Sequence, residues 1–187
     1  MTEKISPTRR RAGGPLGRLL TATTALVVFC TGLLVTAQPA HAGGCAVVSF
    51  ANADRDLIVS VEKSRTGIHY GELRARATKV GPWELFDMCW LSSSQFTLWS
   101  HATGKYVSTR ENNAAPYKYL LTATADKVGE WEKFTAYDVP EYFYGFTGSS
   151  GMYVSADYSF GSPETGVLIA NRKAIGPWEV FLFHRES

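Results

Sequence analysis

Histidine and cysteine are scarce in this 187-residue chain, four and three respectively, and the scarcity removes much of the usual chemistry. Beyond residue 42 only His69, His101 and His184 remain. They are far apart, with no His-x-x-x-His or Cys-x-x-Cys spacing, so no metal and no cofactor is signalled. A Gly-x-Ser-x-Gly elbow and a glycine-rich phosphate loop are also missing. The carboxylate pairs Asp54 with Asp56 and Glu130 with Glu132 stand in turn-like contexts and read as solvated charge. These absences argue against an enzyme. Helical periodicity is absent too: past residue 42, no stretch of ten residues keeps an apolar 3.6 period without Gly or Pro intruding, so the class is all-β.

A basic face is the next thing lacking. The formal charge is +2, but residues 1–42 hold five of the 19 Lys+Arg and one of the 17 Asp+Glu. The remainder has 14 basic and 16 acidic residues, a net of −2, and no nucleic-acid partner has an electrostatic footing. Those first 42 residues read as an export signal. Arg9, Arg10, Arg11 and Arg18 form a positive leader, Leu19 to Ala37 carries no charge, and Ala40-His41-Ala42 offers a small-x-small cleavage site. Thr8-Arg9-Arg10 resembles the start of a twin-arginine signal, but Ala12 and Gly13 stand where an apolar pair is expected, so the general route fits equally. The expected product is a secreted, extracellular domain over 43–187 with no membrane span. Cys30 leaves with the leader. Cys45 and Cys89 remain, an even count in an exported chain, and are expected to pair. The alternative, a lipid-modified Cys45 after Ala42-Gly43-Gly44, would strand Cys89.

What is present is a phrase said three times: Gly81-Pro82-Trp83-Glu84-Leu85-Phe86, Gly129-Glu130-Trp131-Glu132-Lys133-Phe134 and Gly176-Pro177-Trp178-Glu179-Val180-Phe181. The tryptophans are 48 and 47 residues apart. Ten residues before each stands a Leu (Leu73, Leu121, Leu168), and thirteen before that a Ser (Ser60, Ser108, Ser155). Such register marks an internal repeat of about 47 residues. Each repeat reads as four short strands: Val47–Phe50, Leu57–Val61, Leu73–Ala77 and Trp83–Met88 in the first; Gln95–Trp99, Tyr106–Arg110, Leu121–Ala125 and Trp131–Tyr137 in the second; Tyr144–Thr147, Met152–Ala156, Val167–Asn171 and Trp178–Phe183 in the third. Leu73 to Ala77 alternates apolar with charged, as a strand wet on one face does. Three units fall below the usual four blades of a propeller, whereas a β-trefoil of twelve strands needs three.

On this reading Phe86, Phe134 and Phe181 point inward, and Trp83, Trp131 and Trp178 are core residues plugging the barrel under the hairpins. Glu84, Glu132 and Glu179 read as a repeated hydrogen bond to a loop backbone or as surface charge rather than as acid–base groups.

The run Leu168 to Phe181 (Leu-Ile-Ala-Asn-Arg-Lys-Ala-Ile-Gly-Pro-Trp-Glu-Val-Phe), preceded by Tyr153-Val154-Ser155-Ala156, resembles the fascin-like branch of β-trefoil domains, in the form found in secreted bacterial proteins, often beside glycoside hydrolase domains. The likeness spans the three repeats; it is specific for the third, good for the second around Gly129 to Glu132, and plainest in the first around Gly81 to Phe86. No Gln-x-Trp marks the ricin-type branch. Fascin bundles actin through several trefoils, and a single exported one does not inherit that role.

Between each Ser and Leu lies a segment of constant length and variable content, where function is expected. The first holds Lys63, Arg65, His69 and Tyr70. The second holds Arg110, Glu111, Asn112, Asn113, Tyr117 and Tyr119, and the third Asp157, Tyr158 and Phe160. Aromatics beside amides, Asp and Arg suit a polysaccharide or other glycan; the competing reading packs the same rings on the hairpin caps. Tyr142-Phe143-Tyr144 is a further exposed-looking cluster. Two functions follow: a secreted non-catalytic carbohydrate-binding module with ligand contacts from Arg110, Asn112, Asn113, Tyr117, Tyr119, Asp157, Tyr158 and Phe160, or a module for a protein partner, such as a hydrolase inhibitor.

Overall fold

The computed structural model describes residues 44–139 and 143–187. The leader expected over 1–42, with its cleavage after Ala42, lies outside the described residues, as does Tyr142. Four strands build each repeat. They are β1 (Cys45–Asn52), β2 (Leu57–Glu62), β3 (Glu72–Ala77) and β4 (Phe86–Trp90); β5 (Gln95–Ser100), β6 (Lys105–Arg110), β7 (Leu120–Ala125) and β8 (Phe134–Val139); and β9 (Phe143–Thr147), β10 (Tyr153–Asp157), β11 (Val167–Arg172) and β12 (Phe181–Arg185).

Antiparallel pairing runs β1–β4, β4–β5, β5–β8, β8–β9, β9–β12 and β12–β1, which closes a six-stranded barrel. Closure leaves the barrel no free edge to pair with another chain. The other six strands form the hairpins β2–β3, β6–β7 and β10–β11, joined to one another by single pairs between β3, β7 and β11. Each hairpin has one register shift, after Ile58, Tyr106 and Tyr153. Those positions are equivalent in the repeat, so the bend that folds each hairpin over the barrel mouth is itself repeated. The architecture is a three-repeat β-trefoil.

Strand alternation puts two rings per repeat into the barrel. Phe50 meets Phe86 at 5.2 Å, Phe96 meets Phe134 at 5.7 Å and Phe146 meets Phe181 at 5.2 Å. All six are essentially sealed from water. Burying each ring contributes about 2–3 kcal/mol. Above them the equivalent residues Val59, Val107 and Val154, with Leu73, Leu121 and Leu168, are fully buried under the hairpins. Cys45 and Cys89 stand opposite one another in the β1–β4 ladder and form a disulfide.

Two expectations need correction. The repeated tryptophans do not plug the barrel: Trp83 is 40% and Trp131 38% exposed, and Trp178 is half-buried. The reason is local. In each Gly-x-Trp-Glu phrase the glutamate Oε2 accepts the N–H of its own glycine, at 2.9 Å (Gly81), 2.7 Å (Gly129) and 2.7 Å (Gly176). That bond tightens the phrase into a single 3-10-like turn before the strand, with Glu84, Glu132 and Glu179 buried beneath it. The fourth strands therefore start at the phenylalanine, three residues after the tryptophan, and the indole is left on the outer side of the turn. Nor is the charged face of β3 fully wet. Arg74 is buried, with its guanidinium on the Thr165 carbonyl (3.0 Å) and the Glu62 carboxylate (3.3 Å).

Candidate functional site

The Trp turn of a repeat lies against the end of that repeat's second strand. Val61 N–H donates to the Trp83 carbonyl at 3.0 Å, and the Thr109 hydroxyl to the Trp131 carbonyl at 3.2 Å. The Trp178 carbonyl accepts instead from Asn52 Nδ2, at the end of β1 in the first repeat, at 3.1 Å. Beside the turn stand the repeated serine and, two residues on, Glu62, Arg110 or Asp157, which the repeat makes equivalent. Their environments diverge. Glu62 is buried and neutralised by Arg74 and Arg76. Asp157 is buried, with Arg172 Nη2 at 3.1 Å and the Ser159 hydroxyl at 2.6 Å. Arg110 is exposed, its Nε donating to Thr122 Oγ1 at 2.9 Å and its Nη2 to Thr124 Oγ1. Among the described residues no carboxylate lies within salt-bridge reach of Arg110.

In the second repeat, Ser108, Arg110, Thr124, Ala125, Trp131 and Glu132 line an open groove of about 220 Å³. The exposed Trp131 and Arg110 border one concavity there with Thr124, beside the buried Ser108 and Glu132. The corresponding place in the third repeat is filled by the protein's own side chains. The Arg172 guanidinium lies 5.9 Å over the Trp178 ring, and the edge of Tyr158 meets that ring at 5.7 Å. Tyr158 is itself tied down, donating to Asn52 Oδ1 at 3.1 Å under the Arg55 guanidinium. Burial pushes its phenol up to about 12, partly opposed by Arg55.

The residues expected to bind ligand thus fall in different places. Tyr117 and Phe160, 43 positions apart in sequence, stack at 5.6 Å and 22° at the tip of the cap. They cover Leu120, Val167 and Ile169, with His69 edge-on to Tyr117 at 4.9 Å. Beneath His69 the fully buried Glu72 accepts from His69 Nδ1 at 2.6 Å and from Arg65, which also reaches Glu164 at 2.6 Å. The bond from Arg65 holds the Glu164 carboxyl below its ordinary range. Tyr119 is half-buried against the main core, in the left-handed region at φ 65° with the Lys118 ammonium 5.0 Å over its ring. Asn112 is exposed, whereas Asn113 is half-buried and its Nδ2 is sealed without a partner.

Of the eight, only Arg110 lines the second-repeat groove, while Asp157 and Tyr158 belong to the filled place beside Trp178. The groove residues missed from sequence are Trp131, Ser108 and Thr124. Aligning the repeats on Ser108 brings Arg110 opposite Glu62 and Asp157, and that substitution was the available signal. Among the described residues no cluster of His, Cys, Asp and Glu could hold a metal ion, and no helix is long and apolar enough to cross a membrane.

No family model matches the chain. No curated protein matches it either. Solved structures do. The designed threefold-symmetric protein ThreeFoil superposes with a TM-score of 0.61 at 12% identity, over 73% of this chain and 96% of its own. The BEL β-trefoil gives 0.56 at 11%, over 75% and 93%. A Polyporus squamosus lectin, bound to a human-type influenza-binding epitope, gives 0.60 at 12%, over 76% of this chain and 49% of the lectin. At these identities the likeness establishes the β-trefoil fold and nothing finer.

Proposed function

We propose that this chain is exported, loses residues 1–42, and acts extracellularly as a non-catalytic carbohydrate-binding module of the fascin-like branch of β-trefoils, holding a polysaccharide at the Trp131 groove. The observation that carries the reading is the exposed Trp131 indole sharing an open groove with Arg110, Ser108 and Thr124. A pyranose has an apolar face that a flat ring covers and equatorial hydroxyls that planar or hydroxylic groups meet. The lectin among the similar structures supports the reading as analogy. The stacked Tyr117–Phe160 pair has its ring faces turned on one another, which leaves it second choice as a platform.

Retention of the exported protein on a panel of insoluble polysaccharides tests the proposal. Trp131→Ala is expected to reduce retention about tenfold or more, since an aromatic platform is a typical binding hot spot, while the circular dichroism spectrum stays that of the parent. A Tyr117→Ala/Phe160→Ala double variant is expected to be retained. The opposite pattern would move the site to the tip of the cap. No retention of the parent on any polysaccharide would favour a protein partner, for which the exposed Val80, Val128 and Ile175, equivalent in the three repeats, provide apolar contact.

A further inference from the structure

The second-repeat groove differs from its two counterparts in charge logic, and the difference names a ligand class. At the equivalent positions Glu62 and Asp157, the protein supplies both the carboxylate and the arginine that answers it. In the second repeat the arginine is present as Arg110 and the carboxylate is missing. Two threonine hydroxyls occupy the Nε and Nη2 protons on one edge of the guanidinium. Among the described residues the edge formed by Nη1 and the second Nη2 proton has no protein partner. A guanidinium presents its donors as a planar fork that matches the two oxygens of a carboxylate.

We propose that the Trp131 groove recognises a uronate, a sugar ring bearing a carboxylate, and that it is the single such site among the three repeats. The sugar ring lies on the Trp131 indole, and its carboxylate takes the free edge of Arg110 as the ligand-borne equivalent of Glu62 and Asp157. Thr122 and Thr124, hydrogen-bonded to each other at 3.0 Å, hold the fork in place before the ligand arrives. Glu132 also lines the groove. It is bonded to its own turn through Gly129 N–H, as Glu84 and Glu179 are through Gly81 and Gly176, and Glu179 also faces Arg172 Nε at 3.7 Å. Lys105 with Asp126 and Lys133 with Glu130 are paired among themselves. The equivalent places in the other two repeats are unsuited. In the third, Arg172 is engaged by Asp157 and lies over the indole. In the first, Trp83 is open, but Arg74 and Arg76 are bonded to Glu62.

This inference rests on the carbohydrate reading, and the test separates the two. The exported protein is titrated against polygalacturonate and alginate, with fully methyl-esterified polygalacturonate as the uncharged counterpart and the neutral insoluble panel alongside. The expected mature chain carries a net −2, so its overall charge does not favour a polyanion. The parent should bind at least one polyuronide roughly tenfold to a hundredfold more tightly than the ester, the worth of a charge-assisted hydrogen-bond pair. Arg110→Gln should abolish that preference, so that acid and ester are bound alike. Arg110→Lys, which keeps the charge and loses the fork, should restore only part of it. Equal binding of acid and ester, or an acid preference that survives Arg110→Gln, overturns the uronate inference. In either case the carbohydrate reading stands if Trp131→Ala still weakens both. Retention on a neutral polysaccharide alone also overturns the inference and leaves the wider reading intact. Retention on nothing overturns both.

Discussion

Gly166 closes the third hairpin at φ 79°, in the position held by Gly71 in the first repeat and by Tyr119 in the second. The carbonyls of these residues bind the hairpins to one another. Gly71 O accepts from Ala123 N at 2.7 Å, Gly166 O from Ala75 N at 2.8 Å and Tyr119 O from Ala170 N at 3.1 Å. A Cβ placed on Gly166 would stand 2.5 Å from the Ala75 carbonyl oxygen, a backbone atom that cannot swing aside. The second repeat shows the adjustment a side chain demands there, since the contact carrying Tyr119 is the longest of the three. Gly166→Ala must open the joint by about half an ångström or more and also adopt a left-handed backbone. The left-handed backbone costs about 1–2 kcal/mol and the overpacking about 1–3 kcal/mol. A sum near 3 kcal/mol lowers the melting temperature by roughly 6–12 °C for a domain of this size. Gly151→Ala is the control: φ is 71° and nothing lies within 4 Å of the added Cβ, so only the backbone cost of about 1–2 kcal/mol applies. Paired thermal melts by circular dichroism decide it. If the two variants melt within two degrees of one another, the close packing of the hairpin joint is not a constraint and the reasoning fails.

Two further outcomes are expected. Replacing Cys45 and Cys89 by Ser opens a loop closed across a separation of 44 residues and should lower stability by about 4 kcal/mol in the chain-entropy picture; urea titration of the parent and the variant measures it. Tyr158 should be a late-titrating phenol, near 12 because burial disfavours the phenolate. Its folded value lies above its unfolded one, so its stabilisation is fully present below about pH 10 and is lost as pH rises from there towards 12. Tyr158→Phe should remove the last step of the ultraviolet phenolate titration and flatten the alkaline fall in stability.

Sequence spacing alone determined which residues are equivalent. The Ser–Leu–Trp register counted three units, the even cysteine pair became the β1–β4 disulfide, and the alternation after each tryptophan placed Phe86, Phe134 and Phe181 in the barrel. These features follow from strand periodicity and chain composition, which are local. The same register misled about Trp83, Trp131 and Trp178. Repetition says that a position matters to the scaffold, not which way its side chain leaves the backbone, and a glutamate folding back onto its own glycine turned the indoles outward. The second-repeat loop looked like one site on the page. Closure of the three hairpins separates its residues, putting Tyr117 on Phe160 at the tip of the cap and Arg110 beside Trp131 in the groove. Those neighbours belong to different segments of one repeat or to different repeats, and only the tertiary fold brings them together.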